Sequence, residues 1–256
     1  MNSKNQIHEI GFLSLLILAM LINITTQTIH EIGHLMVFQL MGHDPVWGFT
    51  KLVQIWDTSP INPDEWVKVT GPDSERGWLK LSSPIASKAE DVISTAAGPL
   101  AGLLSAVLGL VITRRSKGRT FKQTGLALAL SASLVAVLYY LRSPLRTGGD
   151  EYNIAMQLGI ARSTIDIPLL IAFSSCLILS LRELPSWRVR LKWLGTVLIG
   201  SMTTGLLLFN ADSLVISQVN AGNPWFQPVF GYSLPVFLTN GLALIGIWIW
   251  ARRQAT

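Results

Sequence analysis

The chain is 256 residues long, 50% hydrophobic and only 14% charged, with a mean hydropathy of +0.44. That composition excludes an ordinary soluble domain and describes a protein that crosses a membrane several times. The net charge of +5 does not indicate a nucleic-acid partner, because lysine and arginine collect in short segments between apolar runs; a nucleotide cofactor is not expected either.

Six apolar segments are long enough to span a bilayer, at about 10–40, 93–113, 124–141, 167–181, 193–209 and 233–250. The expected fold is an all-α polytopic membrane protein, with a small β-hairpin or sheet in segment 43–91. The first span does not read as a cleaved signal peptide. Its leading region holds only Lys4 and no small-x-small site follows, so it is expected to be retained. As one helix it would be about 46 Å long against a hydrocarbon core of about 30 Å, so it must tilt, break or protrude.

Inside that span lies His30-Glu31-Ile32-Gly33-His34. HExxH on a helix sets two imidazoles one turn apart on one face, able to share a metal ion, with a carboxylate beside them. Four histidines and seven glutamates in 256 residues would produce the pattern by chance about once in 600 shuffled chains, so it is treated as signal. Asn23, Gln27, His30, Glu31 and His34 follow helical spacing and form one polar stripe. Such a stripe should face a bundle interior or a wet cavity.

Segment 43–91 is long for a connector. Val46-Trp47-Gly48-Phe49, Leu52-Val53-Gln54-Ile55-Trp56 and Trp66-Val67-Lys68-Val69 have strand-like content, and four of the nine tryptophans, Trp47, Trp56, Trp66 and Trp78, lie here. They read either as an interfacial aromatic belt or as a membrane-edge sheet that pairs with an extended peptide. The second span opens with Ala96-Ala97-Gly98-Pro99-Leu100-Ala101-Gly102, which reads as a first helical turn with small residues for close packing.

Arg114, Arg115, Lys117, Arg119 and Lys122 fill the next loop, and Arg182, Arg188, Arg190 and Lys192 a later one. Segment 210–232 has neither lysine nor arginine, and in 43–91 eight acids outnumber five bases. Six alternating spans then put both termini in the cytoplasm and the HExxH end of span one toward the outer face, in what is expected to be a prokaryotic plasma membrane. Cys176, the single cysteine, lies within a span as a small packing residue and excludes a disulfide or a cysteine metal cluster. Apart from Asn240 and hydroxyls, spans four to six read as nearly free of polar side chains. The organisation expected is a core at 1–162 followed by three additional spans at 163–256.

A hydrolytic metal site needs a third protein ligand and one open position. His43 falls on the opposite helix face from His34, and Glu65, Glu75 and Glu90 would serve only if their loop folds back. Asp150, after the third span and the turn Ser143-Pro144-Leu145-Arg146-Thr147-Gly148-Gly149, is the better candidate. It could instead be the N-cap of a short helix carrying Glu151, Asn153 and Gln157.

Together, HEIGH, the AAGPLAG segment and the proline-containing turn ending at Asp150 resemble the site-2 protease family of intramembrane zinc metalloproteases, over roughly residues 10–160. The resemblance implies one zinc ion held by His30, His34 and Asp150, with Glu31 as general base. It implies peptide-bond hydrolysis in or near transmembrane segments of a membrane-protein substrate within the lipid bilayer. Asn23, Gln27, Gly98, Pro99 and Asn153 are candidates for supporting the ligands or positioning substrate. The chain departs from the family pattern at Leu141, where an asparagine is usual, and by Gly148-Gly149 before the aspartate, Glu151 after it and one extra residue in the turn. Glu151 is therefore the alternative third ligand. Two other functions are weighed: a degenerate relative that binds a membrane client without cutting it, and a non-hydrolytic zinc-binding or transport protein.

Overall fold

The computed structural model describes residues 10–42, 46–50, 52–53, 67–70, 76–79, 87–221, 223–226 and 228–253. Among them are seven α-helices, six of which are long and apolar enough to cross a membrane. These are α1 (Phe12–Leu40), α2 (Lys88–Arg115), α3 (Arg119–Arg142), α5 (Ser163–Arg182), α6 (Trp187–Asn220) and α7 (Leu234–Arg253), with the short α4 (Asp150–Leu158) between α3 and α5. The all-α polytopic architecture read from hydropathy is the one observed.

Several helix boundaries differ from the apolar limits, and three of the differences have a polar reason. α2 starts at Lys88 because Ser87 caps it, accepting from the Glu90 N–H, and Glu90 and Asp91 favour the first turn. Pro99 is therefore inside the helix and not in its opening turn. It has no N–H to offer the Thr95 carbonyl one turn back. α5 reaches back to Ser163, making it 20 residues long, because Asp166 within it is buried against Arg162 and Ser143. α6 runs 34 residues to Asn220, through sequence that composition assigns to a loop. Asn210 donates to the Leu206 carbonyl at 2.7 Å, and Asp212 is bonded to another segment, so neither ends the helix.

Small residues decide how closely the helices approach. A Cβ on Gly109 of α2 would lie 2.5 Å from the Ala129 nitrogen of α3, and one on Gly125 would lie 2.8 Å from the Gly109 carbonyl oxygen. A Cβ on Gly33 of α1 would collide with the Ala97 carbonyl of α2. Such crossings are the membrane equivalent of core packing, since lipid provides no hydrophobic drive between helices. Outward faces carry the apolar residues that soluble proteins hide: Leu100, Leu104, Val107 and Val111 of α2 are all exposed.

α6 and α7 pack on α1, and α5 packs on α3. One core cluster joins Leu15, Leu18 and Ile22 of α1, Leu126 and Leu130 of α3, and Trp193 and Val197 of α6. Cys176 is buried beside Ala106, Tyr140 and Phe173. In segment 43–91 the structure has β1 (Val46–Trp47) antiparallel to β2 (Leu52–Val53), and a separate hairpin of β3 (Val67–Thr70) and β4 (Arg76–Leu79). Residues 54–66, which include Trp56, Trp66 and Glu65, lie outside the described residues, as do Glu75 and His43. β1 also pairs in parallel with β6 (Tyr232–Ser233), which forms a hairpin with β5 (Pro228–Val229). Its two-residue turn has positive φ at both Phe230 and Gly231, matching the twist of the strands it joins.

The crossing of α2 and α3 gives a test. Gly109→Val is expected to lower stability in detergent by about 1–3 kcal/mol, as overpacking does, with Gly195→Val, where a Cβ meets nothing within 4 Å, as the control. Thermal unfolding of the two variants measures the difference.

Candidate metal centre

His30 and His34 sit one turn apart on α1, and their Nε2 atoms are 3.2 Å apart. The Asp150 Oδ2 lies 3.3 Å from the first and 3.5 Å from the second. Three ligand atoms thus form a nearly equilateral triangle, a group that can hold a metal ion. Burial by itself would raise the Asp150 carboxyl, but the two imidazoles beside it outweigh burial and hold it well below the usual carboxylate range. In a metal-bound site the carboxylate is ionised and its imidazole neighbours are neutral.

His34 is held by a specific partner. The His34 Nδ1–H donates to the Ser94 carbonyl of α2 at 2.8 Å, which leaves Nε2 as the free lone pair facing the triangle. The ring occupies the space over Gly98: any Cβ there would collide with the imidazole. Gly102, one turn on, faces His30 with room to spare, its Cβ position being 3.9 Å from Nδ1. Gly98 therefore has a ligand-shaping role as well as a packing one.

Asp150 arrives from α4, whose first residue it is. The N-cap position belongs to Gly149, so the capping alternative for Asp150 does not apply. Gly148 and Gly149 have φ of 137° and 98°, backbone that only glycine adopts easily. At Gly149 a side chain would also strike the Tyr139 hydroxyl. The two glycines before Asp150 are thus what the local turn requires. Glu151 does not join the triangle. It is buried, and its Oε1 accepts from the Tyr140 hydroxyl at 2.5 Å; burial pushes its carboxyl upward. The turn is braced from α5: Ser143 donates to Asp166, whose Oδ2 lies 3.1 Å from Arg162 Nε, and Arg162 donates to the Arg146 carbonyl at 2.8 Å.

Glu31, 4% exposed, is gripped from two sides. Gln27, one turn earlier, donates to Oε1 at 2.8 Å, and the Trp47 indole N–H of β1 donates to Oε2. Trp47 is also stacked on His34, with centroids 5.8 Å apart and planes 12° apart. Asn23 bonds to the Ser201 carbonyl of α6 at 3.5 Å and does not touch the ligands. Asn23, Gln27, Pro99 and Asn153 all line the same cavity of about 390 Å³, in the range of small-ligand and peptide side-chain pockets. Leu141 is exposed and does not line the cavity. Glu90 lies in the first turn of α2 and is not part of the triangle.

Several participants were not visible from the sequence. Ser94 acts through its main chain, which no side-chain pattern reports. Trp47 reads as one of four belt candidates. Asp166 and Asp212 stand in helices read as nearly free of polar groups, yet both are buried; a carboxylate within an apolar helix was itself the signal that could have found them. No protein-family model, curated protein or solved structure matches the chain.

The cradle around His34 predicts a sharp contrast between neighbouring glycines. Gly98→Ala is expected to weaken binding of a divalent metal by about 10–100-fold, as loss of ligand support does, while Gly102→Ala retains it. Metal affinity by competition with a chelator separates them; equal affinities would show that Gly98 does not shape the site.

Proposed function

We propose that this chain is a membrane-embedded zinc metalloendopeptidase that hydrolyses peptide bonds in or near the transmembrane segments of membrane-protein substrates, as its resemblance to site-2 proteases implies. The observation that carries the reading is the His30–His34–Asp150 triangle beside Glu31 in a cavity between helices. Its edges of 3.2, 3.3 and 3.5 Å suit a tetrahedral ion; bonds of 2.0–2.1 Å separate tetrahedral ligands by about 3.3–3.4 Å. Two imidazoles and one carboxylate favour zinc over magnesium or calcium, and three protein ligands leave the open position that hydrolysis needs.

Zinc held there supplies a Lewis acid that polarises the scissile carbonyl and acidifies water. Glu31 takes a proton from the attacking water as the new C–O bond forms, then returns it to the leaving amine as the C–N bond breaks. Gln27 and Trp47 fix the orientation of that carboxylate. A substrate helix must unwind before cleavage, because its backbone groups are already bonded within the bilayer. The terminal strand β2 of the sheet is the proposed partner for the extended stretch. The lysine and arginine distribution supports cytoplasmic termini.

Glu31→Gln is expected to keep zinc and to lower cleavage of a membrane-embedded substrate by about 10²–10⁴-fold. Asp150→Ala is expected to lose both zinc and cleavage. Undiminished cleavage by Glu31→Gln would remove Glu31 from the base role, and full zinc content in Asp150→Ala would remove Asp150 from the ligand set.

A further inference from the structure

Asp212 is a fully buried carboxylate in the C-terminal third of α6, and its hydrogen bonds run to the segment just after Trp47. Its Oδ1 accepts from the Phe49 N–H at 2.6 Å. Its Oδ2 accepts from the Thr50 N–H at 2.8 Å and from the Thr50 hydroxyl at 2.6 Å. Three donors from this stretch converge on one carboxylate. A buried charge costs several kcal/mol unless it is paired and hydrogen-bonded, so the charge and the turn hold each other in place.

The same stretch is fixed at its other end. The Trp47 main-chain N–H donates to the Gly231 carbonyl at 2.7 Å, and Trp47 pairs with Tyr232 across β1 and β6. Between these two fixings the indole is presented to Glu31 and laid along the His34 ring. Phe38, one turn beyond His34 on α1, also lies against the indole, at 5.7 Å between centroids. Trp47, Phe49, Val215 and Tyr232 belong to one buried cluster, so α6 and the β5–β6 hairpin together form the socket in which the indole is seated.

We propose that Asp212 is a positioning residue of the metal centre: by anchoring Phe49 and Thr50 it holds the Trp47 indole against Glu31 and His34. Its effect on turnover rests on the hydrolytic reading above; the anchoring does not. Glu31 has one donor on each oxygen, Gln27 from its own helix and Trp47 from across the cavity. Removal of the second donor leaves the carboxylate half-satisfied in a poorly hydrated site, free to turn away from the triangle. Asp212 thus makes the site dependent on a helix far away in the chain, although it touches neither metal ligand nor substrate.

The test uses the full chain in nanodiscs, with amide hydrogen exchange of the segment containing Phe49 and Thr50, zinc content, and kcat and KM on a membrane-embedded substrate. Asp212→Ala is expected to speed exchange at Phe49 and Thr50 by about tenfold or more, since those amides lose their acceptor. It is expected to keep zinc and to lower kcat by about tenfold at near-constant KM, the scale on which supporting residues act. Trp47→Phe, which retains the ring and loses only the donor, should reproduce the kcat loss with exchange at Phe49 and Thr50 unchanged. Unchanged exchange in Asp212→Ala overturns the proposal, and so does a normal or raised kcat in Trp47→Phe. Should Asp212→Ala fail to fold, Thr50→Val removes one donor of three: faster exchange at Thr50 supports the anchor and wild-type exchange overturns it. A wild-type chain that cuts no substrate overturns the hydrolytic reading, while the exchange comparison still decides whether Asp212 holds the turn.

Discussion

The close approach of α1 to α2 is the constraint on which the site depends. Gly33 lies against the Ala97 carbonyl, and the His34 ring fills the space that a side chain at Gly98 would need. Only because the helices are this close does the Ser94 carbonyl reach the His34 Nδ1–H and direct the other nitrogen toward His30 and Asp150. Pro99, directly after Gly98, leaves the Thr95 carbonyl without its helical N–H on the wall of the cavity. Gly33, Ser94, Gly98 and Pro99 thus act together on helix distance, imidazole tautomer and cavity polarity.

Several polar groups near the stripe find partners across the bundle, which offsets the cost of burying them. Asn23 reaches the Ser201 carbonyl, Thr28 donates to Asn240 at 2.6 Å, and Asp212 gathers the turn after Trp47. These ties all run from α1, or the strand that follows it, to α6 and α7. The C-terminal helices therefore act as a brace behind the polar stripe of α1, and their core shares Leu15, Leu18 and Ile22 with it. The brace for Asp150 comes from α5, through Asp166, Ser143 and Arg162.

Much of this was legible in the sequence because hydropathy and helical spacing are local. Six spans, the polar stripe and the convergence of HEIGH, Gly98-Pro99 and Asp150 at one level of the bundle follow from period and span length. The start of α2 was misplaced because Ser87, Glu90 and Asp91 make good helix-opening residues while looking like loop. The reach of α6 was hidden because Asn210, Asp212 and Ser213 break hydropathy without breaking the helix. Pairing of β1 with β6 joins residues 47 and 232, and no local pattern encodes a contact so far apart along the chain. The roles of Ser94 and Gly149 reside in the main chain, where residue type carries little information.

Two imidazoles and one carboxylate are proposed to hold a single zinc ion between α1 and α4. X-ray absorption at the zinc edge, on the full chain purified in a mild detergent, reads that coordination. One zinc per chain is expected, with two imidazole nitrogens and oxygen ligands at about 2.0–2.2 Å. A substoichiometric metal after zinc loading, or a shell of oxygen alone with no imidazole scattering, would contradict it.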